Sequence, residues 1–77
     1  MMRELDIHGY TESEAIKIIE RELASLPNDV KSIRIIHGYH SGDSLKKMVQ
    51  NPRKIRSKKI KRRKYTMNQG ETILELY

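Results

Sequence analysis

The chain opens with a strand pattern that changes into a helix pattern. Residues 5–8 read Leu-Asp-Ile-His, an apolar–polar alternation with the period of two that is typical of a strand. Thr11 and Glu14 then form the T-x-x-E sequence of a helix capping box. Apolar residues recur after it at helical spacing as far as Leu26, where Pro27 ends the run. The pattern predicts a strand, a tight connection and one long helix.

A second strand and a shorter helix follow. Residues 31–37 read Lys-Ser-Ile-Arg-Ile-Ile-His, a β-branched and nearly continuous apolar run that predicts a strand covered on both faces. The sequence from Ser41 predicts a short helix, capped by Ser41 or Asp43 and ended before Pro52. Leu45 and Val49 would face inward on this helix.

The sequence of the last third of the chain predicts a hairpin. Residues 58–66 and 71–77 are separated by Asn-Gln-Gly, a sequence with turn chemistry, and we expect them to pair antiparallel. Residues 53–57 either extend the first strand of the hairpin or form a mobile basic loop. The predicted order is β-α-β-α-β-β, an α/β fold of two layers with a mixed four-stranded sheet and two helices. Residues 1–77 are expected to form a single domain.

The composition limits the class of protein. A chain of 77 residues with no Cys, Phe or Trp must build its core from Ile, Leu, Val and Met, without disulfides or thiolate metal sites. No apolar run approaches the roughly 18 residues of a membrane span. The pattern leaves no room for a signal peptide ahead of the fold. We expect a soluble domain of the cytoplasm.

Charge is distributed unevenly along the chain. Residues 1–30 contain three Lys or Arg against seven Asp or Glu, whereas residues 31–77 contain thirteen against three. Nine of these thirteen basic residues fall in one segment: Arg53, Lys54, Arg56, Lys58, Lys59, Lys61, Arg62, Arg63 and Lys64. A block of this kind predicts a polyanionic partner. The alternative is a basic surface that serves only solubility.

The tripeptide His-Gly-Tyr occurs twice, at residues 8–10 and 37–39, each time after a predicted strand. Two strands joined by a helix form a parallel unit with a right-handed crossover. Both tripeptides would then lie at the carboxyl edge of the sheet, where open α/β sheets bind ligands. The fold is therefore expected to bring His8 and His37 close together.

Asp6 and His8 are the first candidates for chemistry, because residues two apart on a strand project to the same face. A carboxylate beside an imidazole fixes its tautomer, and such a pair can serve acid–base chemistry at a phosphodiester. The alternative is structural: Asp6 pairs with a basic neighbour or caps a loop, and His8 is a polar residue with its hydrogen bonds satisfied. Gly9 and Gly38 would let the backbone turn tightly and approach a ligand.

The remaining candidates lie near the second turn. Amides near Gly42 would receive a phosphate at the start of the short helix, although the residues also fit an ordinary turn. Tyr39 would stack on an unpaired base or simply cover the helix end. His8, His37 and His40 show no tight ligand spacing, so no metal site is predicted. The cofactor remains unknown, and a divalent cation is compatible with cleavage.

The chain resembles the Smr, or small MutS-related, domain family. "LDIHG" at residues 5–9 matches the family's L-D-x-H-G sequence at the end of the first strand, and "IRIIHG" at residues 33–38 matches its second strand. "LKKMV" and "GETILEL" fall where its second helix and last strand are expected. The resemblance covers nearly the whole chain, as a stand-alone member. It implies an α/β sandwich like the C-terminal domain of translation initiation factor three.

The resemblance also implies a function. Smr domains are associated with nucleic-acid binding and, in several members, with endonuclease activity on DNA or RNA. It implies that Asp6 and His8 are the leading catalytic pair and that His37 completes the site. The family usually continues H-G-x-G-x-G, whereas here His40 stands where glycine is expected. A bulkier side chain in this loop would change how a phosphate approaches or which substrate is chosen.

We therefore predict a nucleic-acid-binding domain with endonuclease activity that favours RNA over DNA. The nine basic residues of the segment 53–64 would bind phosphates, and a second set would lie along the substrate: Gly9, Gly38, Tyr39, His40, Ser41 and Gly42. The alternative is a non-catalytic module that binds nucleic acid, the ribosome or repair machinery. A membrane partner is not expected, because no amphipathic helix or lipidation signal accompanies the basic segment. The oligomeric state is left open.

Overall fold

A computed structural model describes residues 2–38 and 43–77 of the chain. Within these residues the predicted order of elements is present. The elements are β1 (Met2–Asp6), α1 (Glu12–Ser25), β2 (Ser32–Ile36), α2 (Ser44–Val49), β3 (Ile60–Tyr65) and β4 (Glu71–Leu76). Neither helix in this part of the chain has the length and apolar character needed to cross a membrane.

Helix α1 begins with the capping box that its sequence predicts. The Oγ1 atom of Thr11 accepts a hydrogen bond from the backbone N–H of Glu14, at 3.2 Å, and the Glu14 carboxylate accepts one from the backbone N–H of Thr11, at 3.0 Å. These two bonds satisfy amides that the first turn of a helix leaves unpaired. The bond from the Thr11 backbone N–H lowers the pKa of Glu14 most, and a bond from the Thr11 hydroxyl to the same carboxylate, at 3.0 Å, lowers it further.

The four strands form one mixed sheet in the order β1-β2-β4-β3. Strands β1 and β2 are parallel, with Asp6 opposite Ile36, as predicted for two neighbouring strands joined by a helix. Strand β4 runs antiparallel to both of its neighbours, and Ile36 lies opposite Glu71. The carboxyl ends of β1, β2 and β3 therefore share one edge of the sheet with the start of β4. This edge is called the carboxyl edge below.

The core lies between the helices and one face of the sheet. Its fully buried side chains include Ile19 of α1, Val49 of α2 and Leu74 of β4. The prediction that β2 is covered on both faces is wrong, because burial along it alternates. On the face away from the helices, Arg34 is covered instead by ion pairs to Glu4, at 2.8 Å, and Glu71, at 3.3 Å.

The basic connection between α2 and β3 is a turn segment and does not extend the strand, which begins at Ile60. Ile55 inserts into the core with 1 % of its surface exposed. Arg63 reaches back from β3 to the same region, where its guanidinium donates hydrogen bonds to the carbonyl oxygens of Val49 and Ile55, each at 2.8 Å. One apolar anchor and one basic side chain therefore hold this connection against the domain.

Candidate functional site

The first His-Gly turn leaves His8 on the outside of the domain. Ile7 is fully buried, and its backbone N–H continues the sheet by donating to the carbonyl of Ile36, at 2.9 Å. Gly9 then adopts a φ of +86°, a left-handed conformation that residues with a Cβ rarely take. The chain turns sharply at this point into α1. His8 is held between a buried anchor and a glycine, with 71 % of its side chain exposed.

Asp6 and His8 form a hydrogen-bonded pair at the carboxyl edge. The Oδ1 atom of Asp6 lies 2.6 Å from Nδ1 of His8 and also accepts a bond from the His8 backbone N–H, at 3.0 Å. The side-chain bond and then the backbone bond lower the pKa of Asp6 below its ordinary value. An ionised carboxylate only accepts hydrogen bonds, so Nδ1 of His8 carries a hydrogen. The free Nε2 atom is thereby the proton acceptor of the neutral ring.

The second His-Gly turn has a different construction, because His37 is buried with 2 % of its surface exposed. Its Nδ1 lies 3.0 Å from the carbonyl oxygen of Gly38, and its Nε2 lies 2.9 Å from Oγ1 of Thr72. Thr72 also accepts a bond from the side-chain amide of Gln50, at 3.2 Å. A carbonyl only accepts, so Nδ1 carries the hydrogen and Nε2 accepts from the Thr72 hydroxyl.

The two turns lie side by side. Continuing the register of β1 and β2 places His8 next to Gly38, and a Cβ built on Gly38 would lie 3.6 Å from Cβ of His8. Gly38 has a φ of +73° and its N–H donates to the carbonyl of Gly70, at 2.9 Å. The parallel pair of strands thus brings the two His-Gly sequences together across 29 residues of chain.

The two imidazole rings nevertheless point to opposite faces of the sheet. His37 continues the inward series of Ile33 and Ile35, whereas His8 lies with Asp6 on the other side. The catalytic role predicted for His37 stays a prediction. In the structure the ring fastens the second turn and does not face solvent. Tyr39, His40, Ser41 and Gly42 lie outside the described residues.

The nine basic residues of the segment 53–64 are spread over several surfaces. Six of them make side-chain contacts within the domain: Lys54 with Glu12, Arg62 and Lys64 with Glu75, Lys59 with the carbonyl of Leu23, Arg63 with the carbonyls of Val49 and Ile55, and Arg56 with the carbonyl of Arg53. Four, Arg56 among them, are exposed and form no ion pair within residues 2–38 and 43–77: Arg53, Arg56, Lys58 and Lys61. The basic block does not form one patch beside Asp6 and His8.

Thr72 and Gln50 are residues of the site that the sequence pattern does not reveal directly. Thr72 is polar but fully buried, and it shares the inward face of β4 with Leu74 and Leu76. A buried polar side chain requires a hydrogen-bond partner. A threonine on the same face of the strand as two leucines is therefore the sequence signal from which a buried hydrogen bond could be predicted. Among the described residues, no three His, Asp or Glu side chains are grouped so as to hold a metal ion.

The fold and the paired turns define a class of small α/β domains with two His-Gly turns on adjacent parallel strands. The model of the Smr domain family matches residues 5–72, and the chain belongs to this family. The crystal structure of the Smr domain of Thermus thermophilus MutS2 has the same fold, with a TM-score of 0.81 and 20 % sequence identity over 97 % of this chain and 98 % of that one. No curated protein matches the chain. Smr domains generally bind nucleic acids.

Proposed function

We propose that this domain binds nucleic acid and cleaves it at the carboxyl edge, with Asp6 and His8 as the catalytic pair. The observation that carries the proposal is the 2.6 Å contact between Oδ1 of Asp6 and Nδ1 of His8, on a side chain that is 71 % exposed. The contact fixes the ring and leaves Nε2 directed away from the carboxylate. An oriented imidazole that solvent reaches is a suitable general base or acid.

RNA is the favoured substrate because it carries its own nucleophile. In the reaction that we propose, Nε2 of neutral His8 takes the proton of a ribose 2′-hydroxyl. The 2′ oxygen forms a bond to the adjacent phosphorus, the bond from phosphorus to the 5′ oxygen breaks, and that oxygen takes a proton from water. The hydroxide that is left then removes the proton from Nε2 of His8. The products are a 2′,3′-cyclic phosphate and a 5′-hydroxyl. Asp6 holds the ring in place and stabilises its protonated form.

Cleavage of labelled oligonucleotides tests the proposal. Single-stranded RNA, structured RNA and nicked or branched DNA would be incubated with wild-type protein and with Asp6→Ala, His8→Ala and the double variant. We expect each variant to lose most of the cleavage, in the range of about 10²- to 10⁴-fold for a general base, while binding persists. Asp29→Ala is the matched control, because Asp29 is an exposed carboxylate in the connection between α1 and β2. Its cleavage rate should equal that of the wild type.

The products discriminate between outcomes. A single 2′-deoxy substitution at the scissile nucleotide should stop the reaction, because it removes the nucleophile. Cleavage that persists unchanged in the double variant would identify a contaminating nuclease. Binding of RNA without cleavage by the wild type would overturn the catalytic part and leave a binding module, for which ribosomal RNA or a DNA repair intermediate is the proposed partner.

A further inference from the structure

A second polar cleft lies at the carboxyl edge, between α2 and the turn that joins β3 to β4. Lys46 and Gln50 line it from the helix, and Tyr65, Asn68 and Gln69 line it from the hairpin. Tyr65 is the last residue of β3, and 68 % of its surface is exposed. None of these residues was predicted to bind a ligand, and none belongs to the pair formed by Asp6 and His8.

The hydrogen-bonding groups that remain available in the cleft are of both kinds. The side-chain N–H of Gln50 donates to Thr72, which leaves its carbonyl oxygen as an acceptor. The Oδ1 atom of Asn68 accepts from the backbone N–H of Gly70, at 2.8 Å, which leaves its NH₂ group as a donor. Donors and acceptors set beside an exposed aromatic ring are the groups that recognise the edge and the face of an unpaired base.

The charges of the cleft also suit a nucleotide. Within the described residues Lys46 forms no ion pair, whereas its neighbour Lys47 is paired with Asp43, at 3.3 Å. Glu71 contributes a carboxylate to the lining, but that carboxylate accepts a bond from the hydroxyl of Thr66, at 3.0 Å, and pairs with Arg34, at 3.3 Å. The Glu71 carboxylate thus has partners inside the domain, although it shares Arg34 with Glu4. The ammonium group of Lys46 is the positive charge that the cleft offers to a phosphate.

The register of the sheet relates the cleft to the catalytic pair. Tyr65 lies opposite Thr72, Thr72 opposite Ile35, and Ile35 opposite Leu5, the residue before Asp6. The cleft is thus three strand spacings along the same edge, roughly 14 Å at about 4.8 Å per strand. Tyr65 lies on the face toward the helices, like Arg63, whereas Asp6 and His8 lie on the other face, so a strand of nucleic acid that contacts both sites would cross the carboxyl edge between them.

We propose that this cleft binds one unpaired base of a single-stranded nucleic acid, with the base stacked on Tyr65, its edge bonded to Gln50 and Asn68, and its phosphate held by Lys46. The site rests on the nucleic-acid binding of the proposed function, but it does not depend on cleavage. The cleft would make the domain bind single strands more tightly than duplexes, because a paired base cannot enter it. RNA and DNA single strands share this chemistry.

Tryptophan fluorescence tests the stacking directly, because the chain contains no Trp. Tyr65→Trp would place a single indole in the cleft. Tyr77→Trp is the matched control, since Tyr77 is 71 % exposed and its N–H bonds to Lys59 at the opposite end of the strands. We expect single-stranded RNA and DNA oligonucleotides to quench the fluorescence of the Tyr65→Trp variant and to leave that of the Tyr77→Trp variant unchanged. An oligonucleotide with abasic sites should bind to the Tyr65→Trp variant without quenching it.

Affinity measurements provide the second readout, with labelled oligonucleotides and fluorescence anisotropy. Tyr65→Ala should weaken binding of single strands by roughly 5- to 150-fold, the equivalent of one stacked base, with less than about twofold change for a duplex. Tyr65→Phe should retain most of the affinity. Lys46→Ala should weaken binding and reduce its salt dependence.

The outcomes separate this inference from the proposed function. If wild-type protein binds no nucleic acid, both are overturned. If it binds or cleaves RNA while Tyr65→Ala binds single strands as tightly as the wild type and the Tyr65→Trp variant is not quenched, the cleft inference alone is overturned. Equal losses of single-strand and duplex affinity in Tyr65→Ala would also overturn it, because the loss of a stacked, unpaired base weakens the binding of single strands alone.

Discussion

The Nε2 atom of His37 lies 2.9 Å from Oγ1 of Thr72 in the interior of the domain. This contact joins the end of β2 to the start of β4, and Gln50 adds α2 to it, at 3.2 Å. On its other side the His37 ring bonds to the carbonyl of Gly38, which lies beside His8. A chain of buried hydrogen bonds therefore supports the backbone on which the exposed pair of Asp6 and His8 depends.

Replacing Thr72 by Val should destabilise the domain. The change keeps the shape of the side chain but leaves the ring of His37 and the amide of Gln50 without their partner, which costs about 1–3 kcal/mol for a buried group. The free energy of unfolding in urea measures this loss. Thr66→Val is the comparison, because the hydroxyl of Thr66 is bonded at an exposed turn. Equal losses in the two variants would contradict a special role for the buried bond.

Arg63 and Arg62 should differ in their effect on stability although they are adjacent in sequence. Arg63→Ala removes the two bonds to the carbonyls of Val49 and Ile55, and we expect a loss of about 1.5–3 kcal/mol, as for hydrogen bonds that involve a charged group. Arg62→Ala breaks only an exposed pair with Glu75, which is worth about 0–1 kcal/mol. Urea unfolding of the two variants measures the difference. A larger loss in Arg62→Ala would show that the structural role has been assigned to the wrong residue.

Much of the fold follows from local sequence signals, and this is why the order of elements was predictable. The change from a period of two to a period of 3.6 at Thr11, together with its capping box, marks the first strand and helix. The spacing of Asp6 and His8 likewise predicts that they share a face. These signals act over a few residues, so they do not require knowledge of the sheet order.

Other features depend on long-range pairing that local patterns do not encode. The partnership of His37 with Thr72 exists because β4 inserts beside β2, and the sequence does not state this register. The alternation of β3 turns Arg63 toward the helices and Arg62 toward the other face. A run of basic residues therefore predicts a charged surface along the chain but not the separation of its members in space.

The glycines of the two turns should tolerate a side chain poorly. Gly9 and Gly38 both have positive φ values, +86° and +73°, and a Cβ there costs roughly 1–2 kcal/mol. No atom lies within 4 Å of a Cβ on Gly9, so Gly9→Ala should show the backbone strain alone. Gly38→Ala should add contact with His8, at 3.6 Å, and should lower cleavage more than Gly9→Ala does. Thermal unfolding and cleavage rates measure the two effects, and two unchanged stabilities would refute the backbone argument.

Asp6 should contribute to stability only where it is ionised. Its pKa in the folded state lies below the ordinary value of 3.8 because of the bonds from His8, so the folded state binds the proton less readily than the unfolded state. The contribution is therefore present above about pH 3.8 and is lost as the pH falls through the lowered pKa. Comparing the unfolding of wild-type protein with Asp6→Asn between about pH 2 and 7 isolates this effect from that of Glu14. A stability difference that grows as the pH falls below the ordinary pKa would contradict it.

The salt dependence of binding should reflect how few of the basic residues are available. Four of the nine in the segment 53–64 are exposed and form no ion pair within the described residues, namely Arg53, Arg56, Lys58 and Lys61. If these four contact phosphates of a single strand, the segment should contribute about −3 to the slope of log K against log salt concentration, and contact by all nine would contribute about −6; Lys46 adds about −0.7 in either case. Anisotropy titrations with single-stranded RNA between about 50 and 300 mM salt measure the slope.

Two neighbouring lysines test which residues contribute to the slope. Lys58→Ala should reduce the slope by about one contact. Lys59→Ala, which loses the bond to the carbonyl of Leu23, should lower stability and leave the slope nearly unchanged. A contribution near about −5 would mean that the ion pairs of Lys54, Arg62 and Lys64 open when nucleic acid binds, because seven residues of the segment would then contact phosphates.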